Sequence, residues 1–105
     1  MRSDDPVRRE REEAWLGDSV LGLYARKWIL ESTGAMDAGM FAAMTSNQFL
    51  STIGNPTAVE ARIGREYAAS GLEAAFALIE REILPRFASQ QRRKQPMPGR
   101  RVEKK

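Results

Sequence analysis

The chain has 105 residues, 42% of them hydrophobic and 30% charged, which suits one globular domain and argues against wholesale disorder. It contains no cysteine and no histidine, which excludes thiol nucleophiles, thiolate zinc sites and histidine general bases, and leaves carboxylates for acid, base and metal-ligand chemistry. Charge is divided unevenly: residues 89–105 hold seven basic residues against Glu103, a net of +6, while the first 88 residues hold ten basic against thirteen acidic, a net of −3.

Residues 1–9 read as a lead-in, with Asp4 or Asp5 ahead of Pro6 as a cap followed by a first-turn proline. No apolar segment follows these charges and no run approaches membrane-spanning length, so a soluble, cytoplasmic, unexported protein is expected, in keeping with the missing cysteines. The charged run from Arg8 to Glu13 leads into a helix whose apolar residues, Trp15, Leu16, Val20, Leu21, Leu23, Tyr24, Trp28 and Ile29, cover more than half of its circumference. Such a helix is expected to lie inside something, and it should end near Gly34. Within it stands one carboxylate, Asp18, which burial would penalise unless it is hydrogen-bonded, paired or bound to a metal.

Asp37 is placed to cap a short helix carrying Met40, Phe41 and Met44, and Asn47 to cap a further turn with Phe49, Leu50 and Ile53. Asn55-Pro56 is a cap followed by a first-turn proline, opening a helix with Val59, Ile63 and Tyr67 in one stripe that stops at Ser70-Gly71. From Leu72 a second stripe, Phe76, Ile79 and Ile83, runs to Pro85. Beyond Ser89 the sequence is rich in Gln, Arg, Lys and Pro without periodicity. No stretch alternates as a strand would. The reading is an all-α domain over residues 1–88 and a basic, disordered tail over 89–105. A body this small hides only roughly 60 to 65% of the surface of its unfolded chain, so a partner subunit would help it.

Two blocks carry a resemblance. Leu16-Gly17-Asp18-Ser19-Val20-Leu21 resembles the signature helix of the ribonuclease III family, in which a leucine-glycine-aspartate step carries a metal-binding carboxylate. Glu60-Ala61-Arg62-Ile63-Gly64, then Tyr67, then Gly71-Leu72-Glu73-Ala74-Ala75 resembles the other half of that domain. Two further carboxylates of full-length ribonuclease III are replaced here by Ala14 and Thr57, which resembles the mini-ribonuclease III branch; that branch processes ribosomal RNA precursors and lacks a double-stranded-RNA-binding domain, as is expected of this chain. The segment between Asp18 and Glu60 is shorter than in either branch.

The resemblance implies a homodimeric endoribonuclease acting on double-stranded RNA, with ribosomal RNA precursors or the ribosome as partners. Asp18 and Glu60 would be its catalytic, metal-holding residues, and Trp15 the aromatic residue that enters a pocket of the second subunit. Two carboxylates suit Mg2+ or Mn2+, which keep several waters. Thr57 could orient a metal-bound water. Glu10 and Glu13 lie roughly 80° and 140° from Asp18 around the helix and do not replace the carboxylate missing at position 14. In the tail, Arg92, Arg93, Lys94, Arg100 and Arg101 suit contact with a phosphate backbone. The competing reading is a non-catalytic RNA-binding or ribosome-associated dimer on the same scaffold; a third is a helical protein–protein module with no RNA role.

Overall fold

The computed structural model describes residues 5–94, and among these every regular element is helical. The longest is α1, Pro6–Thr33, capped by the Asp5 carboxylate, which accepts from the Val7 amide, and closed by Gly34 in the left-handed region. At 28 residues it is roughly 42 Å long and forms the axis of the molecule. Two short helices follow: α2, Ala38–Thr45, capped by Asp37, and α3, Asn47–Leu50. The cap of α3 is Ser46 rather than Asn47: its hydroxyl accepts from the Phe49 amide at 3.0 Å, and Asn47 is the first residue of the turn. A hydroxyl two bonds from the backbone reaches an N3 amide as readily as an asparagine one position later would reach the next.

The second half is a pair of helices, α4 (Pro56–Ser70) and α5 (Leu72–Glu82), followed by α6 (Leu84–Lys94). Asn55 caps α4 through the Ala58 amide at 3.0 Å. Gly71 alone joins α4 to α5 at φ 96° and ψ 176°, a backbone state that side chains disfavour, so the chain reverses within one residue. The expected end of order at Ser89 is corrected: α6 carries the chain through Lys94. Leu84 and Phe87 hold the start of this helix against the core, and its later turns continue without Gly or Pro. Residues 1–4 and 95–105, with Arg100 and Arg101, lie outside the described residues.

The core forms where α1 meets α4, α5 and the two short helices. Leu21, Tyr24 and Ala25 from α1 meet Met44, Phe49 and Leu50, then Ile63, then Ala75, Leu78, Ile79, Ile83 and Phe87. Phe87 is central, edge-on to Phe49 at 5.3 Å and to Trp28 at 6.0 Å between ring centroids. Each large side chain buried this fully contributes roughly 1.5–3 kcal/mol. The Tyr24 hydroxyl donates to Glu80 at 3.3 Å, and burial together with that carboxylate pushes its pKa up to about 12.

The expectation that α1 is enclosed on most sides holds for one face only. Val20, Leu21, Tyr24, Ala25 and Ile29 are buried, but Trp15 is 81% exposed, Leu23 48% and Leu30 50%. Those three recur at steps of eight and seven along the helix, on the side away from the core. No described helix is long and apolar enough to cross a membrane.

Candidate functional site

Two helices pass each other in opposite directions at a point where each presents a glycine. Ala14 and Gly17 of α1 face Ala61 and Gly64 of α4, and all four residues are buried. A Cβ on Gly17 would overlap the Glu60 carbonyl and approach the Gly64 amide nitrogen to 2.9 Å; one on Gly64 would overlap the Glu13 carbonyl and approach the Gly17 nitrogen to 3.1 Å. Backbone touches backbone here, a separation open to glycine and closed to any other residue. Just outside the crossing, Arg65 donates to Glu13 at 2.9 Å and ties the helices together.

Asp18 follows Gly17, and Glu60 is the residue whose carbonyl abuts that glycine. The crossing therefore brings together the two carboxylates singled out from sequence, and their side chains lie within hydrogen-bonding reach. Asp18 is not buried among apolar residues: it is exposed, Glu60 is half-buried, and no charged residue is in the core among those described. The apolar stretch around Asp18 splits between two faces of α1, and Asp18 falls at the boundary.

No cation among the described residues offsets the pair. The two arginines nearest to Glu60 on α4 are engaged elsewhere: Arg65 by Glu13, and Arg62 by Glu82 on α5, with Nη2 to Oε2 at 2.7 Å. Asp18 and Glu60 form no ion pair among the described residues. Partial burial, then the charge of Asp18, then the hydrogen bond with it push the Glu60 pKa up to about 7. Two like charges this close are stabilised by a shared proton or by a cation between them.

The other expected residues are placed as follows. Thr57 is half-buried, one turn before Glu60. Ala14 is 6% exposed, one turn before Asp18 and inside the crossing. Glu13, engaged with Arg65, is not free to serve the pair. Arg92 and Arg93 are exposed on α6, and Lys94 is its last residue. Among the described residues no three carboxylates gather as a ligand cluster. The close approach of Gly17 and Gly64, and the Glu13–Arg65 tie, were missed from sequence; the matching Ala-x-x-Gly steps at 14–17 and 61–64 were the available signal.

The pair imposes a pH dependence. A carboxyl with a folded pKa raised from 4.5 to about 7 contributes stability that is fully present below the unfolded pKa and is lost as pH rises through the folded value, because between the two the native state binds more protons. Without added metal, thermal unfolding is expected to show wild type losing stability relative to Glu60→Gln between about pH 4.5 and 7. Parallel pH profiles for the two proteins would show that the carboxyls do not interact.

No protein-family model matches this chain, and it matches no curated protein and no solved structure.

Proposed function

We propose that the chain is a divalent-metal-dependent endoribonuclease of the ribonuclease III type, acting on double-stranded RNA as a homodimer, with structured or ribosomal RNA as substrate. The observation that carries this reading is the convergence of Asp18 and Glu60, one from each resembling block, at the surface and without an ion-pair partner among the described residues.

The donor set fits Mg2+ or Mn2+: two hard oxygen donors, accessible to solvent on one side, suit ions that retain several waters. Bound there, such an ion would lower the pKa of water and neutralise charge at the scissile phosphate, so that hydrolysis needs no histidine. The chain's own residues supply the rest. Asp18 and Glu60 would hold the ion, and Glu60, with its pKa raised to about 7, would do so in its deprotonated form. The Thr57 hydroxyl, one turn away, is the nearest neutral donor along α4 to orient a water. Recognition of the duplex would rest on phosphates and 2′-hydroxyls rather than on base sequence.

With two carboxylates, the site should need millimolar magnesium or else manganese. The test is cleavage of a long RNA duplex across a manganese titration. Burial of Ala14 in the crossing, where full-length ribonuclease III has a carboxylate, favours the second reading, a non-catalytic RNA-binding dimer. Retained duplex binding with no cleavage at any metal concentration would select it.

The basic end supplies a separate prediction. Since α6 reaches Lys94, the cut is made after that residue, and Arg92 and Arg93 are replaced by glutamine. The altered protein is expected to bind duplex RNA more weakly and with a flatter salt dependence, because each lost cation releases fewer counterions, while its helical circular dichroism is unchanged. An unchanged salt slope would limit the tail to a solubilising end.

A further inference from the structure

We infer that Gly17 and Gly64 are positioning residues for the Asp18–Glu60 pair: their missing side chains set the separation of the two carboxylates. This rests on the reading of the pair as a metal-holding centre and adds how its spacing is fixed.

The obstacle to a Cβ at either position is main chain. On Gly17 it would meet the carbonyl oxygen and carbon of Glu60 and the nitrogen of Gly64; on Gly64, the carbonyl of Glu13 and the nitrogen of Gly17. A side chain in the way could rotate to another rotamer, but a helix backbone has to move as a body. The residue that would be pushed from Gly17 is Glu60 itself, and Asp18 is bonded directly to Gly17. Any relief of the overlap is therefore transmitted to the distance between the carboxylates.

Gly22 provides the contrast within the same helix. It is also buried, but a Cβ there would meet first the Arg26 side chain at 3.2 Å and then the Phe41 ring at 3.8 Å. The arginine is flexible and can yield, so Gly22→Ala should leave the crossing untouched. Alanine is the better helix former at all three positions, so local propensity favours each variant and the tertiary contact distinguishes them.

The experiment compares wild type, Gly17→Ala, Gly64→Ala and Gly22→Ala by two readouts. In metal-free protein, an NOE between the Asp18 β protons and the Glu60 γ protons is expected in wild type and Gly22→Ala, and expected to disappear in the other two. With Mn2+ alone as the probe, binding followed by electron paramagnetic resonance is expected to weaken by about 10- to 100-fold in Gly17→Ala and Gly64→Ala, the range for loss of groups that orient ligands. Lengthening the ligand supplies the rescue: Asp18→Glu should weaken Mn2+ binding in wild type, yet partly restore it in Gly64→Ala, where the helices stand further apart.

Retention of the NOE in Gly17→Ala and Gly64→Ala would overturn the inference, as would measurable Mn2+ binding by wild type at an affinity that all four proteins share. Failure of both alanine variants to fold would also overturn it, since the glycines would then be requirements of the fold rather than of the pair. Loss of the NOE in the two variants, with no Mn2+ bound by wild type, would uphold the positioning role and reject the metal-centre reading.

Discussion

Replacing Asp18 by asparagine or Glu60 by glutamine is expected to abolish cleavage of duplex RNA while leaving its binding in place. Each substitution keeps the shape of the side chain and removes one of the two charges available to hold a divalent ion. A loss of at least a thousandfold in rate, about 4 kcal/mol of transition-state stabilisation, is the anticipated scale. On the proposed reading, affinity for the duplex should persist, because it would arise from phosphate and 2′-hydroxyl contacts spread over the surface. Neither variant should be less stable. The charges repel one another without an ion, and the structure gives neither an ion-pair partner among the described residues. Cleavage by either variant at the wild-type rate would remove the pair from the chemistry. Destabilisation instead of inactivation would make it a structural hydrogen bond.

The second large effect concerns association. Trp15→Ala is expected to weaken the proposed homodimer by about 2–4 kcal/mol, the scale for an aromatic anchor at an interface, without unfolding the body. The structure separates these two outcomes clearly. Trp15 is 81% exposed in the single chain, so its removal leaves no cavity in the core, and the cost falls on whatever covers the ring. Leu23 and Leu30 continue the same face, and Leu30 also lines an apolar cleft with Ile29, Met36 and Phe41, over which the Arg26 guanidinium stacks at 4.2 Å. Large apolar side chains left exposed along one side of a helix on a small domain suit an interaction surface. Sedimentation of both proteins at several concentrations is the measurement: wild type dimeric at micromolar concentration, the variant shifted toward monomer, with equal helical content. A wild-type monomer would withdraw the homodimer and much of the family reading with it.

Much of the local structure was legible because its determinants are local. Asp5-Pro6, Asp37, Asn55-Pro56, Gly34 and Gly71 start and stop helices through contacts within a few residues of themselves. The periodic apolar stripes identified α4 and α5 in the same way. The cap of α3 falls on Ser46 and not on the expected Asn47, one position later, because the serine hydroxyl is the group that reaches the Phe49 amide. The helical end was also misplaced: α6 extends to Lys94 through Gln- and Arg-rich sequence that a search for apolar periodicity reads as unstructured.

Glu60 shows the limit for the site. As a residue in an amphipathic helix it is indistinguishable from a solvated surface glutamate, and only the resemblance in the surrounding block singled it out. Its meeting with Asp18, and the rise of its pKa to about 7, depend on a crossing between residues more than forty positions apart. The sequence by itself determined the helices, their caps and the supply of carboxylates without histidine or cysteine, because these follow from backbone preferences and composition. The tertiary structure decided which face of α1 is covered, leaving Trp15 outside and Asp18 at the edge. It also decided that Gly17 and Gly64 touch. Both depend on how close two helix backbones can come, a distance set by side chains absent from both partners at once.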